Sequence, residues 1–280
     1  MNIGIAIKNA YKELKKNKIR SALLDSELLL SEIIKKDRKF ILLNPDKELD
    51  ESTQDRFKNL ILKRSRGKPL AYLTGIKSFW KYNFKINEKV LIPRPDTEIM
   101  IEQVLKIYKN KNYLNFLEVG IGSGCIALSI LKEKKTFLGT GIDLSQDCIE
   151  ICRYNAKKLG VNNRIKLFKS DVDNLIFGKY DLIISNPPYI KKFDLDKLSR
   201  EVINYEPKLA LDGGLEGLSV IRKVIKKSSE LIKKNGKLIL EIGYDQRLSV
   251  KKMLNENNFY INKIIKDLAK NDRCIISTKK

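Results

Sequence analysis

Hydrophobic positions in the first 80 residues recur every three to four residues, the period of amphipathic helices. The apolar side chains at this spacing are Ile3, Ile7, Ala10 and Leu14, followed by Leu23, Leu24, Leu28, Leu29 and Ile33. A third helix is predicted near residues 50–63, after Pro45 and Asp46 and with Ser52 as a capping-type residue. The pattern predicts a small all-α domain over residues 1–77.

The period changes to two in residues 79–92, FWKYNFKINEKVLI. This alternation, with Asn87-Glu88 as a central turn, predicts a β-hairpin, and residues 78–93 are assigned to a hairpin linker. Pro93 and Pro95 end it, and an amphipathic helix is predicted to begin at Asp96-Thr97.

From residue 115 onward, strand-like and helix-like segments alternate. The strand-like segments are 116–119, 136–142, 165–168, 181–185 and 237–242, and the helix-like segments lie near 124–134, 145–160, 217–234 and 245–256. Such alternation is typical of right-handed βαβ units and a mostly parallel sheet. Residues 259–278 instead form two extended stretches around a polar turn at 270–272, which predicts a C-terminal antiparallel hairpin. We therefore predict an α/β domain over residues 94–280.

Composition narrows the classes of function. Among 280 residues, 42% are hydrophobic and 32% charged, the balance of a globular protein. Lys and Arg outnumber Asp and Glu by 56 to 34, and the net charge of +22 favours polyanionic partners, although a compositional bias toward Lys would give the same excess. There is no His, and the four Cys form no CxxC pair, so a His-based triad, a metal site and a disulfide framework are not expected. No signal peptide or membrane span is apparent, and a cytoplasmic protein is expected.

A glycine-rich segment, Glu118-Val-Gly-Ile-Gly-Ser-Gly124, follows a predicted strand and opens a helix. Glycines there allow a sharp turn and close approach of a ligand to the backbone. Asp143, at the end of the next strand, can accept hydrogen bonds from both hydroxyls of a ribose. This spacing favours a nucleoside-bearing cofactor over a plain tight turn, and it also satisfies a looser dinucleotide pattern. Asp171 ends the third strand, where it is either a ligand of an exocyclic amine or a solvated turn residue.

The most informative segment is Ser185-Asn-Pro-Pro-Tyr189, at the end of a predicted strand. Two prolines fix the backbone and remove two N–H donors, which leaves carbonyl acceptors at the edge of the sheet where α/β proteins bind ligands. The side-chain oxygen of Asn186 and the carbonyl of Pro187 can accept both hydrogens of one NH2 group. Tyr189 offers a planar face for stacking. The segment predicts a site for a planar amine.

Together these motifs resemble those of class I S-adenosylmethionine-dependent methyltransferases that act on nitrogen. Three further segments resemble the peptide chain release factor N5-glutamine methyltransferases (the PrmC/HemK family). They are Leu91-Ile-Pro-Arg-Pro-Asp-Thr-Glu98, Lys68-Pro-Leu-Ala-Tyr-Leu-Thr-Gly75 and Tyr205-Glu-Pro-Lys-Leu-Ala-Leu211. The resemblance implies a seven-stranded Rossmann-like domain and a small N-terminal helical domain that recognises the substrate. It implies methyl transfer from S-adenosylmethionine to the glutamine of the Gly-Gly-Gln motif of class I release factors, which modulates translation termination.

The resemblance also implies roles for single residues. Cofactor binding falls to Gly120, Ile121, Gly122, Ser123, Gly124, Asp143, Asp171, Val172 and Asn186. Substrate binding falls to Asn186, Pro187, Pro188 and Tyr189, with Asn186, Pro187 and Tyr189 as the catalytic group and no metal. Family members often have Thr in place of Ile121 and an aromatic residue in place of Val172, so weaker stacking on adenine is expected here.

Two alternatives remain open. The first is an adenine or guanine amino-methyltransferase acting on DNA or rRNA, which the positive charge favours and the lack of an inserted target-recognition domain opposes. The second is a methyltransferase-fold protein that only binds RNA or ribosomes. The expected partner is a class I release factor bound by a monomer, with nucleic-acid contact through the basic surface possible but not required and no membrane association.

Overall fold

The computed structural model describes residues 1–280. The α-helices are α1 Ile3–Lys16, α2 Ala22–Ile34, α3 Arg38–Leu43, α4 Glu51–Ser65, α5 Leu70–Thr74, α6 Glu98–Ile107, α7 Cys125–Glu133, α8 Gln146–Lys158, α9 Arg200–Tyr205, α10 Ser219–Leu231 and α11 Arg247–Glu256. The strands are β1 Ile76–Phe79, β2 Tyr82–Lys85, β3 Asn115–Val119, β4 Leu138–Asp143, β5 Ile165–Lys169, β6 Tyr180–Ser185, β7 Ile232–Glu241, β8 Phe259–Lys266 and β9 Asp272–Lys279. None of the helices is both long and apolar enough to cross a membrane.

The chain divides into two compact units. The smaller unit contains Met1–Ile76 and Ser199–Tyr205, and the larger contains Lys77–Leu198 and Glu206–Lys280. In the smaller unit the apolar faces of α1, α2 and α4 pack together around residues such as Leu14, Leu29 and Phe57, all of which are buried. Removing these side chains from water stabilises the helices more than their intrinsic propensities do.

A buried arginine links α9 to the helices of the smaller unit. The Nε atom of Arg64 on α4 donates to Asp25 on α2 at 2.6 Å, and its NH2 group donates to Glu201 on α9 at 2.9 Å. The sequence did not predict α9. The side chains of α9 contact the helical unit, although α9 follows β6 in the sequence.

The larger unit is built on a seven-stranded sheet in the order β5-β4-β3-β6-β7-β9-β8. β3 to β7 are parallel, and β9 runs antiparallel between β7 and β8. Apolar side chains cover both faces of the central strands: Phe116 and Leu182 pack on one face, and Leu117 and Ile183 on the other. The predicted α/β fold with a C-terminal antiparallel hairpin is confirmed. Because neighbouring parallel strands end on one side, the carboxyl ends of β3, β4 and β6 meet at one edge of the sheet.

The predicted position of the N-terminal hairpin is wrong. β1 and β2 are joined at Trp80-Lys81, and Trp80 has a φ of 56°, a left-handed conformation that is unusual for a bulky residue. The backbone N–H of Trp80 donates to Glu98 and its indole N–H donates to Glu133, which holds this conformation through contacts distant in sequence. Asn87-Glu88 does form a turn, closed by a bond from Val90 N to Asn87 O, but no strand pairs across it.

Candidate active site

A cavity of about 270 Å³ lies at this edge of the sheet, entirely within the larger unit. The predicted site residues that line it are Gly120, Ile121, Gly122, Ser123, Asp143, Asp171, Val172, Asn186 and Pro188. These residues lie at or just after the carboxyl ends of β3, β4, β5 and β6. The topology thus brings together segments that the sequence separates by up to 68 positions. Gly124, Pro187 and Tyr189 are not among the lining residues.

The glycine loop after β3 has left-handed backbone at its three glycines. The φ angles are +74° at Gly120, +52° at Gly122 and +80° at Gly124. A Cβ added at Gly120 would meet no atom within 4 Å, whereas one at Gly124 would lie 2.6 Å from the Sγ atom of Cys152. Gly120 therefore leaves space open on the cavity side, and Gly124 lets the loop pack closely on α8. The side chain of Ile121 is buried in the core, so this position can serve a ligand mainly through its backbone.

Asp143 connects the glycine loop to the start of α8. Its two carboxylate oxygens accept hydrogen bonds from the backbone N–H groups of Gly122 and Ser145, each at 2.9 Å. Burial raises the pKa of this carboxyl group against the opposing effect of these two bonds. A carboxylate held beside an open glycine loop matches the hydroxyls of a ribose in its donor–acceptor chemistry. These residues fit a nucleoside-bearing cofactor.

At the end of β5, the Asp171 carboxylate accepts a hydrogen bond from the backbone N–H of Asp173 at 3.0 Å. Lys223 on α10 lies 2.9 Å from Asp173 and 3.8 Å from Asp171, and it lines the cavity, which the sequence did not predict. Val172 is 6% exposed and packs with the apolar residues of one sheet face. This end of the cavity is bordered by an aliphatic side chain and an ion pair.

The segment after β6 carries two oxygen acceptors without protein donors. The side-chain amide nitrogen of Asn186 donates to the hydroxyl of Thr97 at 3.1 Å, and its Oδ1 atom accepts no hydrogen bond from the protein. The carbonyl oxygen of Pro187 also accepts none. Asn186 is half-buried and Pro187 is buried. Asn186 lines the cavity, so an NH2 group there can use an acceptor that the protein leaves free. The Pro187 carbonyl belongs to the adjacent buried residue, which is not among the lining residues.

Tyr189 is held by polar contacts of its hydroxyl and of its backbone carbonyl. Its hydroxyl donates to Glu241 at 3.3 Å and accepts from Arg273 at 3.3 Å, and its backbone carbonyl accepts from Gln246 at 3.0 Å. The guanidinium of Arg273 lies 5.9 Å from the centre of the ring. Burial and the nearby Glu241 raise the pKa of Tyr189 to about 12, so the phenol stays neutral. These contacts hold Tyr189 in place, and it is not among the residues that line the cavity.

Two residues that contact this segment were not predicted from the sequence. Thr97 and Glu241 are each 2% exposed, and the hydroxyl of Thr97 donates to Glu241 at 2.7 Å. The sequence contains an indication of each residue. Thr97 lies in the segment 91–98 that resembles the family, and Glu241 is a lone charge at the end of an otherwise apolar run.

A second ion pair holds the rim of the cavity. The guanidinium of Arg94 donates to the buried carboxylate of Glu206 at 2.5 Å, and the same carboxylate accepts from the backbone N–H of Ile92 at 3.4 Å. Arg94 and Pro207 both line the cavity. The ion pair thus joins two of the segments on which the resemblance rests.

Comparison with known proteins agrees with this arrangement. The family model described as "PrmC N-terminal domain" matches residues 6–75, and the one described as "Methyltransferase small domain" matches residues 96–215. The chain is 40% identical to the release factor glutamine methyltransferase of Clostridium botulinum, over 96% of each chain. It is 34% identical to the "Bifunctional methyltransferase" of Rickettsia conorii, over 96% of this chain but only 56% of that relative's length. The crystal structure of a methyltransferase from Pyrococcus furiosus superposes with a TM-score of 0.55 at 19% identity, covering 79% of this chain and 97% of that one, and supports the fold alone.

Proposed function

The chain belongs to the family of release factor glutamine methyltransferases, and we propose that it methylates the side-chain amide nitrogen (N5) of the glutamine in the Gly-Gly-Gln motif of class I release factors. It is an enzyme that depends on S-adenosylmethionine, which supplies an electrophilic methyl group on a sulfonium sulfur. The reaction so proposed modulates translation termination.

Cofactor binding is assigned to the residues at the ends of β3, β4 and β5. In this proposal the loop from Gly120 to Gly124 receives the methionine part, and Asp143 accepts the ribose hydroxyls. Asp171 and Val172 border the adenine. The open space beside Gly120 and the cavity exposure of these segments support the assignment.

The chemistry of the site follows from the weak nucleophilicity of an amide nitrogen, whose lone pair is delocalised into the carbonyl group. Two fixed acceptors on the NH2 group, Asn186 Oδ1 and the Pro187 carbonyl, increase the electron density on nitrogen and favour its rehybridisation. They also orient the nitrogen toward the methyl group, which is a positioning effect. Pro188 confines the substrate side chain. After transfer, the nitrogen is strongly acidic and loses its extra proton to water.

The single observation that carries the proposal is the pair of oxygen acceptors without protein donors in the segment 186–187. The test is mass spectrometry of a class I release factor after incubation with the enzyme and S-adenosylmethionine. We expect one added methyl group, located on the glutamine of the Gly-Gly-Gln motif. Methyl incorporation into nucleic acid but not into release factor would favour an adenine or guanine amino-methyltransferase instead.

Variants at Asn186 test the chemistry. Asn186→Ala removes one acceptor, and we expect single-turnover methylation to fall about 100- to 1000-fold, the usual loss for one preorganised transition-state hydrogen bond. Asn186→Asp keeps an acceptor but adds charge, so it should retain more activity than Asn186→Ala and far less than wild type. A rate for Asn186→Ala within a few-fold of wild type would remove this segment from the catalytic centre.

We further propose that the helical region, residues 1–77, recognises the release factor. The cavity takes no lining residue from this region, yet its surface exposes several leucines, among them Leu42 (54% exposed) and Leu43 (69% exposed). Leu43→Ser should raise the KM for release factor by several-fold without changing the affinity for S-adenosylmethionine. The matched control is Leu268→Ser, because Leu268 is 96% exposed on the β8–β9 turn of the larger unit. Equal effects of the two substitutions would contradict the division of labour.

The proposed setting is the cytoplasm, where class I release factors act, and the proposed active form is a monomer. The net charge of +22 leaves room for contact with nucleic acid that the reaction itself does not require. Sedimentation of the enzyme at working concentration, with and without release factor, tests the monomer directly.

A further inference from the structure

We propose that Thr97 and Glu241 are positioning residues that determine which end of the Asn186 side chain faces the cavity. This inference rests on the proposed function, because it assigns the control of a substrate-binding amide. Thr97 also lines the cavity, whereas Glu241 does not. In this proposal both residues act on the substrate through Asn186.

The buried Thr97 and Glu241 and the half-buried Asn186 form a directed chain of hydrogen bonds. The Thr97 hydroxyl has one proton, and it donates this proton to Glu241 Oε2 at 2.7 Å. The same hydroxyl oxygen is therefore an acceptor toward Asn186, whose Nδ2 atom lies 3.1 Å away. An ionised Glu241 can only accept, so the direction of each bond in the chain follows from the charge on this one carboxylate.

The direction matters because the two ends of an asparagine amide have nearly the same shape but opposite polarity. With Nδ2 bound to Thr97, the Oδ1 end is left to accept a hydrogen bond from a substrate NH2 group. The reversed amide would place its own NH2 group against the substrate NH2 group, and two donors repel. The reversed state requires Thr97 to donate to Asn186 and to accept from a protonated Glu241.

The surroundings of Glu241 allow both charge states near neutral pH. Thr97 and Tyr189 donate hydrogen bonds to its carboxylate. The charge of Arg273 favours the ionised form, and that of Asp96 disfavours it. The neutral thiols of Cys125 and Cys274 are also close. Burial outweighs the favourable contacts and raises the pKa of Glu241 to about 7. Protonation of this carboxyl as the pH falls would release the constraint on Asn186.

The test uses the full chain and single-turnover methylation of a release factor. Thr97→Val keeps the shape and removes the hydroxyl, and we expect a loss of about 10- to 100-fold, smaller than for a group that contacts the substrate. Thr97→Ser restores the hydroxyl and should lie within about threefold of wild type by the same reasoning. The matched control is Thr140→Val, because Thr140 is a buried threonine on β4 that does not line the cavity. Calorimetric titration with S-adenosylmethionine, expected to be unchanged for Thr97→Val, verifies that each variant is folded.

The pH profile separates positioning from mere packing. The wild-type rate should rise as Glu241 ionises, through about pH 7. Glu241→Gln should lose this dependence and stay slower than wild type above pH 8, by about 10-fold. Thr97→Val with a rate within about twofold of wild type, or Glu241→Gln with the wild-type rate and pH profile, overturns the inference. If Asn186→Ala also keeps the wild-type rate, the proposed function of the site fails as well, which distinguishes the two outcomes.

Discussion

The glycine loop allows two uses of glycine to be separated by experiment. Gly120 and Gly124 have similar left-handed backbones, with φ of +74° and +80°, but different surroundings. A Cβ at Gly124 would lie 2.6 Å from Cys152 Sγ and 2.8 Å from Leu128 Cδ1, and both side chains are fully buried. A Cβ at Gly120 would meet nothing within 4 Å.

The expected magnitudes follow from this difference. An alanine in the left-handed region costs roughly 1–2 kcal/mol at either position. At Gly124 the overlap with a close-packed core adds about 1–3 kcal/mol, so Gly124→Ala should lower the free energy of unfolding by about 2–5 kcal/mol in total. Gly120→Ala should lower it by only about 1–2 kcal/mol. Because Gly120 lines the cavity, however, we expect Gly120→Ala to weaken S-adenosylmethionine binding.

Chemical denaturation and calorimetric titration measure the two effects. Gly160→Ala is the control for the cost of placing an alanine in the left-handed region. Gly160 has a φ of +67°, is exposed at the end of α8 and has nothing within 4 Å of an added Cβ. Removing the nearest overlapping atom, in Gly124→Ala combined with Cys152→Ala, should destabilise the protein by less than the sum of the two single substitutions. Equal destabilisation by Gly120→Ala, Gly124→Ala and Gly160→Ala would refute the close-packing explanation.

Two further predictions concern the carboxylates of Asp143 and Glu241. Asp143→Ala should weaken S-adenosylmethionine binding by roughly 1.5–3 kcal/mol, the range of charge-assisted hydrogen bonds, and an unchanged affinity in calorimetry would remove Asp143 from the site. Burial raises the pKa of Glu241 from 4.5 to about 7, so this group stabilises the fold less as the pH rises through that interval. Glu241→Gln should therefore gain stability relative to wild type between pH 4.5 and pH 8, by up to about 3 kcal/mol. Denaturation at several pH values measures this gain, and a difference in stability that is independent of pH would contradict it.

Local sequence patterns were sufficient to predict the structural features that depend on residues close together in the chain. The alternation of strands and helices after residue 115 predicted the parallel sheet, because each βαβ unit buries its own apolar faces. The glycine loop and Asp143 were found for the same reason: both lie at the ends of strands whose hydrophobic runs are unambiguous. The carboxyl ends of parallel strands then determine where a ligand lies.

Features that depend on distant contacts were not predicted. Thr97 and Glu241 are 144 positions apart and meet only because α6 packs beneath β7. The turn at Trp80 is held by Glu98 and Glu133, whereas Asn87-Glu88 has the residues of a hairpin turn without a partner strand. α9 is joined to the helical unit by the bond from Arg64 to Glu201 and by the bond from the Tyr205 hydroxyl to the Arg66 carbonyl, and no periodicity in the sequence predicts such contacts.

The stability and the proposed chemistry of Glu241 oppose one another. A carboxylate that is 2% exposed lowers the stability of the folded state whenever it is ionised, and an uncharged glutamine of nearly the same shape would avoid that penalty. Glutamine, however, could either accept from Thr97 or donate to it, so it would leave the orientation of the Asn186 amide undetermined. Only an ionised carboxylate restricts the Thr97 hydroxyl to a single direction. The partial compensation by Arg273 and Tyr189 fits this view, because both favour the charged form without neutralising the hydrogen bond to Thr97. A site that must present an acceptor to a neutral amide therefore has a physical reason to keep a buried charge three hydrogen bonds away from its substrate.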